Sequence, residues 1–525
     1  MKKFLLVLIL PLLLFSGEGY VKSWKTGYKP YLKRELYSSA SQQDIALSYL
    51  NSLRQKAGLT AFIKNSYLKT ASQNHVNYMV ANNTAGHQEY SGNSNFTGEW
   101  PADRAVYAGY KSRMVSENLS WGQDDIYESI DGLFSAIYHR FGFLDTTKND
   151  IGIGLNESQK FYNYDMGNSY LNELCNGTSF DGTGQYTYDV CADENFKISL
   201  DDFNSAENNI SKNNPKIVLW PYKNATDIPP VFFEESPDPL PNYSVSGYPI
   251  SVSFNQYYYQ NPPTFISFKL FDKDDNEITN TFLLDSQSDP NNEITSYQFA
   301  LFPLKRLGWG KVYKAIFEYD DGNGTKEIVW SFKAKTLPYP YYELGASNNQ
   351  TLELISGKTY AIYFIPRDGN DNLGGYHFSY ENGMSIDSDY IDADTIKVKL
   401  TGSLNQQATL NFDNGRSVTL KIANSDNAIT SEENLTESNS STISDIGLKK
   451  EKIDSLQSGW TLLGSSFDIG DLSIFSSAKI VWIYNSTNST WMAYSPNEST
   501  KQEIEDAGYT IFTNIPKDSG IWVLK

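Results

Sequence analysis

The sequence predicts a multidomain α+β and all-β protein: an N-terminal α+β layered unit, β-sandwich modules after it, and a small C-terminal Trp-rich β domain. Three observations carry this. Apolar residues recur at helical spacing between residues 40 and 155. From about Lys216 the period becomes two, with Gly- and Asp-rich turns between the runs. Four of the ten Trp then crowd into residues 455–525. A chain of 525 residues is long enough for about three or four domains. With 40% hydrophobic and 14% aromatic residues it can build packed cores, which excludes wholesale disorder.

Taken in order, Lys2 and Lys3 precede an apolar run from Phe4 to Phe15, followed by Ser16-Gly17-Glu18-Gly19. That is the order of a secretory signal peptide, here residues 1–19, so the chain is expected in an extracellular or periplasmic space. Twelve residues would cover only about 18 Å of an about 30 Å hydrocarbon layer, so a transmembrane anchor is disfavoured. No Cys stands near the cleavage point to carry a lipid, and no later stretch is apolar enough to span a bilayer. The formal net charge of −19 argues against nucleic acid or anionic lipid as the main ligand.

Between residues 38 and 168, Ile45, Tyr49, Leu50 and Leu53 mark a first helix. Leu68, Ala71, His75, Tyr78 and Met79 mark a second, and a third is expected from Ile126 to His139. Ile151-Gly-Ile-Gly-Leu155 reads as a buried strand. A connector, 169–215, holds the only two Cys, Cys175 and Cys191, and in an oxidising compartment these are expected to form one disulfide, worth about 3 kcal/mol. Residues 216–337 read as an immunoglobulin-like β-sandwich, and 338–424 as a second β domain ending in the hairpin turn Asp413-Asn414-Gly415. A Ser/Glu/Asn-rich stretch, 425–454, reads as a flexible linker. In the last module, 455–525, Trp460, Trp482, Trp491 and Trp522 could stack on sugars. The expectation is instead that they fill a thin core.

Several familiar sites are missing. There is no Gly-x-Ser-x-Gly and no His-Glu-x-x-His. Ser356-Gly-Lys-Thr359 lacks the first Gly of a phosphate loop. Asp272-Lys-Asp-Asp-Asn-Glu277 lacks the Gly of a calcium loop and reads as a solvated turn. What remains is a concentration of rare residues: three of the four His, namely His75, His87 and His139, fall in the first folded unit, with Glu117 between the last two. Imidazole and carboxylate together can hold a divalent cation or act as acid and base. Each also has a plain reading: His87 as a loop residue, His139 as a cation at a helix C-terminus, and Glu117 as an acceptor for turn amides. His75 is expected to face the helix packing, and His377 stands alone.

Leu50-Asn-Ser-Leu-Arg-Gln-Lys-Ala-Gly-Leu59, Thr84-Ala-Gly-His-Gln-Glu89, Ser116-Glu-Asn-Leu-Ser-Trp-Gly122, His139-Arg140 and Ile151-Gly-Ile-Gly154 resemble the CAP superfamily in its short bacterial branch. That superfamily includes the cysteine-rich secretory proteins, antigen 5 and the plant pathogenesis-related 1 proteins. The resemblance covers about a quarter of the chain. It implies an α-β-α sandwich with a surface cleft where His87, Glu117 and His139 converge, able to bind zinc or another divalent cation. The eukaryotic pattern has a second Glu on the third helix. Here the helix offers Glu128, Asp131 and Ser135. Along an unbroken helix Glu128 would lie about 16 Å from His139, too far to share a cation. It is expected near the helix start instead.

The reading that follows is a secreted binding protein, its CAP cleft able to hold a divalent cation, its β modules and Trp-rich tail facing a lipid, glycan, cell-wall or protein partner. The alternative is a metal-dependent hydrolase, a peptidase or esterase, with His87, His139 and Glu117 as ligands or with Glu117 as general base.

Overall fold

In the computed structural model of the protein, the described residues are 17–21, 41–233, 235–345, 350–368, 371–430, 433, 435, 453–454, 456, 458–465, 469–485, 490–516 and 519–525. Most of the expected signal peptide lies outside them. Its last residues belong to strand β1 (Gly17–Val21), an edge strand paired with Tyr376–Tyr380.

The helical periodicity becomes helices α1 (Gln42–Lys56), α2 (Ser66–Asn82) and α3 (Pro101–Ala108). Each starts on a local signal: Ser41 caps Asp44, Asn65 caps Tyr67 and Leu68, and Pro101 occupies the first turn of α3. Between them runs a four-stranded sheet of β2 (Ile63–Lys64), β3 (Ser116–Trp121), β4 (Asp150–Asn156) and β5 (Phe161–Gly167), in the order β2-β4-β5-β3. The Gly-Ile-Gly pattern of β4 has a steric cause. A Cβ on Gly152 would sit 2.0 Å from the Leu68 carbonyl carbon, and one on Gly154 would sit 2.3 Å from the Ser72 carbonyl oxygen. The α2 backbone thus lies directly on that face, while Ile151 and Ile153 point to the other face, beside Gln43 and Leu47 of α1.

The third helix departs from expectation. It is two helices, α4 (Ile126–Ser135) and α5 (Ile137–Phe143), broken at Ala136, whose ψ of 119° is extended. Residues from the following sandwich support the break. The Glu235 carboxylate accepts the Ile137 amide at 2.5 Å, and Arg140 donates to the Phe134 carbonyl at 2.6 Å, which Tyr248 also meets at 3.0 Å. These groups satisfy backbone atoms that a break would otherwise leave bare. His139 therefore stands in the first turn of a helix and not at a C-terminus. Glu128 does lie at a helix start, its amide capped by Asp125 at 2.8 Å. Helices α4 and α5 share the Ile153 face of the sheet: Ser129 meets the Tyr164 hydroxyl at 2.9 Å and Phe143 stacks edge-on against the same ring. The result is an α-β-α sandwich.

The connector adds two helices, Ser169–Leu174 and Leu200–Ser211, and Cys175 is bonded to Cys191. The first β-sandwich pairs two four-stranded sheets. Phe254 and Phe299 of one meet Phe317 of the other at ring-centroid distances of 5.9 and 5.3 Å. It is no detached spacer: Ile137 and Phe141 of α5 share one buried cluster with Phe232, Leu284, Ala300 and Phe302. A second sandwich follows, with sheets of five and four strands around Leu354, Tyr360, Ile362, Ile396, Val398, Leu410 and Leu420. The Asp272 segment is the expected turn, with Asp272 Oδ1 accepting the Asp274 and Asn276 amides. The first part of the expected linker is docked. Ile429 bridges to Tyr341, and Glu433 accepts the Val312 amide at 2.9 Å. The rest of that stretch lies in large part outside the described residues.

The chain divides into two compact units, the smaller being residues 436–525 with Glu327–Val329. The smaller unit carries a five-stranded sheet over a core of Phe475, Val481, Ile483, Phe512, Ile515, Ile521 and Val523. No Trp belongs to that core, which overturns the expectation that the four Trp fill it. Strand alternation puts them on the opposite face. Among the described residues no helix is long and apolar enough to cross a membrane.

Candidate functional site

Strand β3 is an edge of the α-β-α sheet, so chain from both helical layers can meet beside it. Successive strand residues point to opposite faces, and here two neighbours hold one histidine each. Glu117 turns toward the α2 and α3 layer and accepts His87 Nδ1 at 2.7 Å. Asn118 turns the other way and donates to the His139 carbonyl at 2.7 Å. A Cβ on Gly142 would stand 2.9 Å from Asn118 Oδ1, so a side chain there would press on the amide that holds α5. The two imidazole rings come to lie near parallel, centroids 6.5 Å apart. The structure therefore brings together all three predicted site residues.

Their roles differ from the expected ligand trio. Glu117 is buried, its side chain 1% exposed against 41% for His87. Its Oε2 accepts Arg104 at 2.7 Å, so both oxygens are engaged. Burial pushes the Glu117 carboxyl up. Arg104, the His87 hydrogen bond and the charge of His75 outweigh that and hold it far below the ordinary carboxylate range. Asp165, its direct partner across β5, is driven the opposite way by burial and by the charge of Glu117. Two carboxyls side by side in a dry place settle as one anion and one acid.

Behind Glu117 the network continues. Arg104 also donates to the His87 carbonyl at 2.8 Å, and its Nε lies 3.8 Å from Glu89. His75, fully buried, faces Glu89 Oε1 through Nδ1 and the Gly86 carbonyl through Nε2, both at 2.9 Å. It packs inside as expected, yet its Nε2 is also 4.0 Å from Glu117. On the other side, His139 Nδ1 donates to Glu235 Oε2 at 2.9 Å, the same carboxylate whose other oxygen takes the start of α5. Each cleft histidine thus spends Nδ1 on a buried carboxylate. No hydrogen bond among the described residues engages Nε2 of either ring. Also among the described residues, no three His, Cys, Asp or Glu side chains group so as to hold a metal ion.

The two histidines open on a cleft of about 420 Å³. Leu119, Trp121, Leu133, Phe232 and Phe233 make its walls apolar, while His87, His139 and Glu235 stand among its polar groups. Three of its four serines are engaged: Ser120 with Ser129 at 2.6 Å, and Ser135 with the Gly132 carbonyl at 2.8 Å. Glu128 and Asp131, which the third helix offers in place of a second Glu, do not line it. His377 lies in the second sandwich, paired with Tyr20.

The sequence reading missed Glu89, Arg104, Asp165 and Glu235. Period-two alternation in β3 could have placed Glu117 and Asn118 on opposite faces. Nothing local announces Glu235, 96 residues from the histidine it holds.

The model of the cysteine-rich secretory protein family (CAP) matches residues 47–170. Similar solved structures include an extracellular protein containing an SCP domain from Bacillus anthracis (18% identity, TM-score 0.22, covering 24% of this chain and 39% of that one). An outer surface protein of Borrelia burgdorferi is 16% identical, with a TM-score of 0.22 over 25% of this chain and 95% of that one. A cysteine-rich secretory protein of Staphylococcus aureus is 17% identical, with a TM-score of 0.19 over 26% and 42%. The likeness thus spans less than half of the Bacillus and Staphylococcus chains. No curated protein sequence matches the chain. Residues 47–170, with the histidine cleft at their sheet edge, are a CAP domain of the cysteine-rich secretory protein family.

Proposed function

We propose that this is an extracellular binding protein whose CAP cleft takes a small amphipathic ligand, apolar body against the walls and polar end on His87 and His139. The cleft itself carries the proposal: a roomy, mainly apolar recess with a few convergent polar groups is the usual form of a small-molecule site. Export is supported by the Lys2-Lys3 start with its apolar run, and by the disulfide.

A divalent cation, zinc among them, would take the Nε2 atoms of His87 and His139 as its protein ligands, with Glu117 and Glu235 orienting the rings from behind. Glu117 does not fit as a third ligand, because His87 and Arg104 hold its two oxygens. Two imidazoles are fewer than the three protein ligands usual for catalytic zinc. The hydrolase alternative also loses its base, since a carboxylate held so far below its ordinary range takes up a proton poorly at neutral pH. Binding is the better-supported reading.

The test uses the full exported chain, because the CAP domain shares a buried cluster with the sandwich. An environment-sensitive anionic dye, anilinonaphthalene sulfonate, is expected to bind saturably and to be displaced by a long-chain fatty acid. Leu133→Trp, which fills the cleft, should weaken both by tenfold or more. Equal binding in parent and Leu133→Trp refutes the cleft as the site. Zinc titration by calorimetry separates the cation: heat lost in His87→Ala and His139→Ala supports the two-imidazole site, and unchanged heat removes it.

A further inference from the structure

From a separate region of the molecule we infer that the outer sheet face of the C-terminal unit is a binding platform for neutral polysaccharide. Its strands are Trp460–Ser465, Ser519–Leu524, Ile480–Asn485, Thr490–Tyr494 and Thr510–Ile511, in that spatial order. Register sets the face. Trp522 and Trp482 are direct partners, and Tyr484 is the direct partner of Trp491. Their strand neighbours Ile521, Val523, Val481 and Ile483 are buried beneath. Trp460, on the outer strand, completes a shallow, open site of about 320 Å³ lined by the four indoles.

Core formation does not account for these rings. Trp460 is 52% exposed, Trp491 44% and Trp522 39%. Exposed apolar area gathered this way marks an interaction site. The rings are also braced. Tyr509 stands edge-on to Trp482 at 4.7 Å, and Tyr484 to Trp491 at 5.3 Å.

Charge selects the occupant. None of the five strands contains Asp, Glu, Lys, Arg or His, and residues 453–525 hold four Lys against eight Asp and Glu. No cation stands on the strands to meet phosphate, sulfate or carboxylate, and the acidic balance repels anionic lipid and nucleic acid. An uncharged ligand matches this face. The negative π-face of an indole attracts the weakly positive edges of C–H bonds. A pyranose ring presents such a C–H surface, and a sugar chain repeats it so that several indoles are engaged together.

The experiment is affinity electrophoresis of the full chain in native gels containing hydroxyethyl cellulose, xylan, galactomannan, starch or dextran. Retardation is expected in at least one, with Trp482→Ala and Trp522→Ala weakening it tenfold or more and Trp482→Phe keeping most of it. Near-unchanged far-UV circular dichroism in each variant would show that the fold survives. Tryptophan fluorescence of the parent should shift on adding the retarding polymer. No retardation in any gel overturns the inference. So does retardation that survives both alanine variants, or tryptophan-dependent binding to phosphatidylcholine–phosphatidylglycerol vesicles or to a second copy of the chain in its place.

Discussion

The histidine cleft and the tryptophan face are built in opposite ways. The cleft draws on the α2–α3 loop, α3, β3, α5 and a segment of the first sandwich, and its carboxylates are buried, each against a histidine or an arginine. The tryptophan face comes from neighbouring strands of one sheet by simple alternation, and its rings stand in the open. A network of desolvated charges is bound into the stability of the domain that holds it, because removing one member strands another. Exposed rings over an independent core can be changed at little cost to the fold. The contrast predicts where mutation will damage folding and where it will damage binding alone.

The largest effect should come at the cleft. Arg104→Met leaves Glu117 and Glu89 buried without their cation, and a loss of about 3–5 kcal/mol is expected. Urea unfolding of the full chain, followed by a probe in the N-terminal region, measures it. A loss below 1 kcal/mol would mean that the network adds little to stability and that the contrast is wrong.

An intermediate effect concerns pH. Burial pushes the Glu128 carboxyl up to about 7. Its folded value lies above its unfolded one, so the stability it contributes is complete below about pH 4.5 and is lost as pH rises through about 7. Glu128→Gln should therefore match the parent near pH 4 and exceed it at pH 8 by on the order of 2 kcal/mol. The two melting temperatures plotted against pH give the answer, and parallel curves would show that Glu128 titrates normally.

The smallest effect is expected on the tryptophan face. Trp491→Ala should change unfolding free energy by about 0.5 kcal/mol or less, as for surface sites generally. A drop of several kcal/mol would place Trp491 in the folding core and erase the distinction between the two regions.

The sequence was informative wherever a feature repeats locally. Helical spacing marked α1 and α2, period two marked the sandwiches, and the quoted segments marked the CAP domain. The same locality explains the errors. The pattern from Ile126 to His139 is continuously amphipathic, so nothing in it shows a break. The break is held by Glu235 and by Arg140, which donates to the Phe134 carbonyl before the break and to the Pro249 carbonyl of the sandwich. Composition points the tryptophans to a core because it counts rings without saying which face they occupy.

Residue order by itself determined the fold class, the disulfide and the three residues that gather at the cleft, since backbone periodicity and segment motifs are properties of short stretches. Only the tertiary structure decided that Glu117 serves Arg104 and His87 and does not stand free, that His139 leans on a carboxylate from another domain, and that four indoles face outward. Those outcomes depend on which distant groups share a desolvated space. Chain sequence encodes that only through the packing of the whole.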